Sequence, residues 1–422
     1  MCPLSISRRA LLGSSALALG ALGLPLGMAR AATGSSRKFI FVFAQGGWDP
    51  TRVLATEFSN RNVSMELAAD LATAGGISYV AHPDRPSVGA FFDAWHARTV
   101  VMNGVMVRSI AHEICTMIAM TGTTSGLSPD WPAIIGASDR DAFTLPHLVL
   151  GGPSFPGDLG VAVARTGANG QLEALLSGEA LTWSDLPTGG PNAPAEALVD
   201  RWVARRAAAR QIGQRSPVEK ALLDDYVTAV EHSAALKDLR YVMDFTGGLD
   251  LVDQAPVAVE ALALGVSRCV TLNSSASFSW DTHTNNDTDQ SPLWESLYYG
   301  LGQLMQLLAA TPGTTGASLA DETVVVVVSE MGRTPMLNGL NGKDHWPFTS
   351  VMLVGAGLTG DRVVGGYDDN YYGRNVDPAT AEVDDAAPVL SAESVGATLL
   401  ALADLDPGEY ISGVDPITGV LA

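Results

Sequence analysis

The chain is poor in cysteine, with three in 422 residues. Cys2 lies in the amino-terminal leader discussed below, which leaves Cys115 and Cys269. Two cysteines exclude a disulfide framework and a thiolate-rich zinc site. Whether they form one bond or are two buried apolar fillers is open from the sequence. Positive charge is also scarce, with 25 Lys and Arg against 45 Asp and Glu and a net charge of −20. A surface this acidic repels polyanions, so nucleic acid and anionic lipid are poor partners for the chain as a whole. Charged residues make up only 17% and apolar ones 47%, which excludes disorder and allows a substantial core. No period of 20 to 50 residues marks a repeat array.

No long apolar run is unbroken. The best, Ala10 to Gly27, is interrupted by Gly13, Gly20, Gly23 and Pro25, where a permanent span wants about 20 continuous apolar residues. Ser7-Arg8-Arg9 precede it, and Ala29-Arg30-Ala31 places small residues where a signal peptidase cuts. Residues 1–31 are thus expected to be a twin-arginine signal peptide, handled by the corresponding translocase and leaving no stable membrane span. Cleavage leaves 22 of the 25 basic residues and all 45 acids, a net charge of −23. Residues 32–422 are expected to form one periplasmic or secreted domain.

The remainder alternates strands and helices. Phe39 to Ala44 is an apolar run closing on "GGWDP", a buried strand feeding a tight loop. Thr99 to Ser109 is a second strand, and "HEICTMIAMTG" has helical apolar spacing. Residues 151 to about 250 hold an insertion. Its first part, 151–215, is rich in Gly, Pro, Ala and Ser, and a helix then starts at Ser216 with Pro217 and Glu219 in its first turn. "SRCVTLNSSASFSWDTH" follows, then a helix through "LWESLYYGLGQLMQLLAA". The five valines Val324 to Val328 make a strand buried on both faces. "SVMLVGAG" adds a strand and "SAESVGATLLALADL" a final helix. This order predicts a doubly wound α/β fold, a mostly parallel sheet with helices on both faces.

In such a sheet ligands bind beyond the carboxyl ends of strands. Asp49, His112, Asp281, His283, Glu330, Asp344 and His345 fall at such positions. Oxygen and imidazole donors gathered from separate segments suit a divalent ion, with zinc, manganese and calcium all open. Each residue also has a plain structural reading: Asp49 as a turn former before Pro50, His112 and Glu330 as helix caps. The conjunction favours a site. His82, His96, His147 and His232 have ordinary contexts, whereas His112, His283 and His345 sit at strand ends beside acids. Arg333 and Lys343 are available to bind an anion in an otherwise acidic chain.

The leader, "GGWD", "WDTHTNN", "VVVVVSEMGRTP", "NGKDHWPF" and "SVGATLLALADLDPGEY" together resemble the domain-of-unknown-function 1501 family of exported bacterial proteins, which is placed in the alkaline phosphatase and sulfatase superfamily. The resemblance implies that fold. It implies Asp49 as ligand of one metal, Asp281, His283 and His345 as ligands of another, and Glu330 in the position of a metal-binding acid. It places Met331 where a histidine or asparagine belongs, and His112 where the nucleophile belongs. Imidazole there implies a ligand or base in place of a covalent ester, with Ser109 and Thr116 as nearby hydroxyls. The implied function is metal-dependent hydrolysis of a small phosphate or sulfate ester, with His112, Arg333 and Asp344 in catalytic roles. The alternative is a non-catalytic periplasmic binding or envelope-associated protein.

The leader gives a first prediction. Amino-terminal sequencing of the exported protein finds Ala32 first, and an Arg8→Lys, Arg9→Lys variant stays inside the cell. Unchanged export of that variant would contradict a twin-arginine route.

Overall fold

Phe39, Phe41 and Phe43 of one strand face one apolar layer, while Ile40 and Val42 face another. A strand buried on both faces occupies the middle of a sheet covered on each side, and the computed structural model has that architecture. It describes residues 37–66, 70–166, 193–213, 216–239, 243, 248, 250–276 and 278–422. The expected leader and residues 167–192 of the expected insertion lie outside the described residues.

The strands in chain order are β1 (Lys38–Phe43), β2 (Asp70–Ala74), β3 (Ile77–Ala81), β4 (Thr99–Met106), β5 (His147–Val149), β6 (Val163–Arg165), β7 (Cys269–Asn273), β8 (Thr323–Val328), β9 (Gly332–Arg333), β10 (His345–Trp346), β11 (Phe348–Gly355) and β12 (Arg362–Gly365). Eight of them form one sheet in the order β12-β4-β11-β8-β1-β7-β5-β6. All pairings in it are parallel except those of β11, which runs antiparallel to both β4 and β8. The valine strand β8 lies beside β1 as its composition requires, with Val324, Val326 and Val328 on one face and Val325 and Val327 on the other.

Helices α1 (Pro86–Trp95), α2 (His112–Thr121), α3 (Trp131–Ala137), α4 (Ala193–Gly213), α5 (Pro217–Leu239), α6 (Leu251–Ala263), α7 (Asn286–Ala310) and α8 (Ala392–Leu402) complete the chain. Phe91 and Phe92 of α1, Leu262 of α6 and Leu297 and Leu301 of α7 cover one face. Trp131 and Ile135 of α3, Met120 of α2 and Leu399 and Leu400 of α8 cover the other.

Three sequence expectations need adjustment. The second strand ends at Met106 rather than Ser109, because Val107 to Ala111 turn out of the sheet towards α2. The helix expected from Leu293 begins at Asn286, so the amides and acids after "WDTH" form its first turns. The start of the expected insertion is not all loop: Val163–Arg165 is the sheet's edge strand. The helix at Ser216 forms as expected, its hydroxyl accepting from the Glu219 amide at 3.5 Å.

Topology fixes where polar groups can meet. β1, β4, β7 and β8 all point the same way, so the loops after them, 44–49, 107–111, 274–285 and 329–331, emerge at one edge of the sheet. β11 runs the other way, so the segment before it, carrying His345, returns to that same edge.

The buried His147 gives a prediction about pH. It lies in β5, wholly enclosed, with Nε2 2.8 Å from Thr271 Oγ1. Burial holds its pKa down to about 3, against 6.5 when free. The native state therefore keeps it neutral where the unfolded chain takes a proton. Its contribution is complete above pH 6.5 and is lost as pH falls from there towards 3. Denaturant melts across that window should fall in stability by up to ~1.4 kcal/mol per pH unit more steeply than those of a His147→Leu variant. Parallel pH profiles would contradict this.

Candidate metal centre

The loop after β1 turns at Gly46 and Gly47 and packs against the loop after β7. A Cβ on Gly46 would lie 2.6 Å from the Asp281 amide nitrogen, and its φ is +123°, so only glycine allows the approach. Trp280 anchors the second loop from below, buried against Trp48 and Trp294. Asp281 and His283 are thereby held at the sheet edge, just ahead of α7.

Arg333 is fully buried and joins the loops. Its Nε donates to Gly47 O at 2.7 Å, Nη1 to Lys343 O at 3.1 Å, and Nη2 to Trp280 O at 3.1 Å, to Asp281 Oδ1 at 2.7 Å and to Gly46 O. Burial would raise the Asp281 pKa, but the hydrogen bond and charge of Arg333 outweigh it and hold the carboxylate ionised. The expectation that Arg333 binds a substrate anion is corrected: its donors are consumed inside the protein.

Three imidazoles surround Asp281. His345 Nε2 lies 3.3 Å and His283 Nε2 3.1 Å from Oδ1, and His112 Nε2 lies 3.5 Å from Oδ2. The Nε2 atoms of His283 and His345 are 3.0 Å apart. On each ring the other nitrogen meets an acceptor: Glu330 Oε1 for His112 at 2.8 Å, Asp344 Oδ1 for His283 at 2.9 Å, and the carbonyl of Ile110 for His345 at 2.7 Å. An acceptor at Nδ1 places the proton there and leaves Nε2 as a lone pair. Burial pushes the His345 pKa down, favouring its neutral form.

Ring nitrogens turned towards one another and towards a carboxylate suit a cation between them. The buried Nε2 of His112 has no hydrogen-bond partner, and the ligand atoms of His112, Asp281 and His345 all lie within 4.8 Å of one another. The His345 and His112 nitrogens lie 3.3 and 3.5 Å from the Asp281 oxygens, close to the about 3.3 Å edge of a tetrahedron whose metal–ligand bonds are ~2 Å. Imidazoles fixed through Nδ1 by carboxylates and a carbonyl are the usual surroundings of a metal-binding histidine. The residues present thus fit a divalent metal. His283 borders the three through Asp281 and His345, and its side chain is 44% exposed, so the centre opens to solvent on that side.

Glu330 and Asp49 stand elsewhere than expected. Glu330 is fully buried behind His112, and its Oε1 also accepts from the Gly46 amide at 2.8 Å. It orients the ring and raises the His112 pKa through that hydrogen bond; the metal-ligand expectation for it is corrected. Asp49 is fully enclosed and saturated. Oδ2 meets Lys343 Nζ at 2.8 Å, Asn286 Nδ2 at 2.8 Å and Arg52 Nε at 3.2 Å, while Oδ1 accepts from Thr51 Oγ1 at 2.7 Å and its amide at 3.1 Å. Against burial, the charges of Lys343 and Arg52 hold its pKa well below the usual carboxylate range. An ammonium thus stands where a metal on Asp49 was expected, and Lys343 is not free for an anion.

Met331 is buried among Val107, Cys115, Ile118 and Ala392 as an apolar filler. Cys115 and Cys269 are both free thiols. The hydroxyl of Thr116 donates to the His112 carbonyl at 2.8 Å, and Ser109 Oγ accepts from the Ala111 amide at 3.2 Å, so both are engaged with the backbone around α2. Sequence reasoning missed Arg333 as a clamp, the Lys343–Asp49 pair and Asn338, whose Nδ2 donates to His283 O at 3.0 Å. A buried Arg and Lys within a glycine-rich loop were the available signal.

Solved structures resemble the chain only distantly. A lipoteichoic acid synthase, LtaP, from Listeria monocytogenes is 11% identical, with 92% of this chain and 77% of that one covered and a TM-score of 0.42. A protein in the alkaline phosphatase superfamily from Vibrio parahaemolyticus is 9% identical, with 88% and 68% covered and a TM-score of 0.34. BT4656, solved with its substrate D-glucosamine-2-N,6-O-disulfate, is 9% identical, with 90% and 81% covered and a TM-score of 0.32. No curated protein matches the sequence. A family model does match, that of the protein of unknown function DUF1501, over residues 252–411. The matched stretch carries Asp281, His283, Arg333, Asp344 and His345, and Asp49 and His112 lie outside it.

Proposed function

We propose that the protein is an exported, zinc-preferring metallohydrolase with one metal per chain, acting on a small phosphate or sulfate ester. The observation that carries this reading is the unpartnered, buried Nε2 of His112 facing Asp281 and His345. His112, Asp281 and His345 would hold the ion. A donor set of two imidazoles and one carboxylate suits zinc better than calcium, which prefers oxygen alone. When bound, the metal supplies Lewis acidity and charge neutralisation at the ester.

The chain's own residues supply the rest. Asp344 accepts from Nδ1 of His283 and so holds Nε2 beside Asp281 and His345, where it takes the proton of the attacking water. The water oxygen bonds to phosphorus or sulfur as the ester oxygen leaves. The hydroxyls of Ser109 and Thr116 are occupied with the backbone, which favours direct water attack over a covalent ester. The engagement of both Arg333 and Lys343 inside the protein favours the second reading, a metal-bearing binding protein without turnover.

Metal analysis of purified protein should give one zinc per chain, lost in His345→Ala and Asp281→Asn and kept in Asp49→Asn. Turnover of a panel of phosphate and sulfate esters should vanish in His283→Gln with the metal retained. Metal kept in His345→Ala would overturn the assignment, and a zinc-loaded protein inert towards the whole panel would support the binding reading.

Arg333 gives a separate prediction. An Arg333→Met variant strips a half-buried carboxylate and four carbonyls of their donor, and should lose about 3–5 kcal/mol of stability in denaturant titrations. It should also bind metal more weakly, because Asp281 is no longer held. A loss below ~1 kcal/mol would contradict the clamp.

A further inference from the structure

Helix α4 has an outward face unlike the rest of this acidic chain. Its buried side is marked by Ala207 and the half-buried Val203 and Gln211, where it packs against α5. On the opposite side Leu198, Trp202, Arg205, Ala209 and Ile212, spaced four and three apart, form one stripe. Leu198 is 58%, Trp202 54% and Ile212 90% exposed. Arg201, Arg205, Arg206 and Arg210 are all exposed, and the helix sequence holds only Glu196 and Asp200 against them, a net +2. The Arg206 guanidinium lies 5.2 Å from the Trp202 ring centre.

We propose that this face of α4 docks on an anionic phospholipid surface, lying in the plane of the interface. An exposed apolar stripe containing Trp, flanked by exposed arginines, is the composition of an interfacial helix. Among the described residues no helix is long and apolar enough to cross a membrane. The net charge of −20 does not oppose it, because charges beyond about 8 Å are screened at physiological salt. A second copy is a poorer occupant, since a twofold contact would set these arginines against the same arginines. Nucleic acid would leave Leu198 and Ile212 without a partner.

The test uses the full chain and vesicles of phosphatidylcholine with or without roughly one part in three phosphatidylglycerol. Sedimentation should require the anionic lipid and weaken with salt. An Arg201→Gln, Arg205→Gln, Arg206→Gln variant should bind about a hundredfold more weakly, the joint effect of three surface-facing charges, with an unchanged thermal melt. An environment-sensitive dye on Ala209→Cys, in a Cys2→Ser background, should shift to the blue with anionic vesicles and localises contact to α4. Equal binding by the triple variant, or vesicle binding without a dye shift, would overturn the proposal. Concentration-dependent self-association without lipid, abolished by the triple variant, would overturn it in favour of a second copy.

Discussion

The guanidinium of Arg333 is the constraint on which the site depends. Loop carbonyls at the edge of a sheet have no ladder partners, and burying them uncompensated is costly. One planar cation satisfies Gly46, Gly47, Trp280 and Lys343 and still reaches Asp281. Three segments distant in sequence are thereby fixed to one another. The imidazoles can converge because the loops beneath them cannot slide.

A parallel division of labour runs through the other charges. The Asp49–Lys343 pair, joined by Arg52 and Asn286, locks the first turn of α7 to the loop after β1. Glu330 is spent on His112 and on the Gly46 amide. These buried charges are therefore matched within the protein, while Nε2 of His112, beside Asp281, has no hydrogen-bond partner. Local mismatch of that kind is expected where function is placed.

Much of the fold was legible in the sequence because its signals are local. The valine run of β8, the phenylalanines of β1 and the capped start at Ser216 each follow from neighbours in the chain. Topology then placed Asp49, His112, Asp281, Glu330 and His345 at one edge. The side-chain pairings were not legible, because they depend on contacts between residues some 200 to 300 positions apart. Asp49 and Glu330 look like ligands by type and place. Only the structure shows Lys343 on one and His112 on the other. The edge strand β6 escaped notice for another reason: three residues in a Gly- and Pro-rich stretch carry no period.

The most direct test of the account is metal-edge anomalous diffraction from crystals grown with zinc. The account predicts one peak per chain, bonded to Nε2 of His112 and His345 and to the carboxylate of Asp281, with Lys343 still on Asp49. A peak on Asp49 with Lys343 displaced, or no peak near His112, would contradict it.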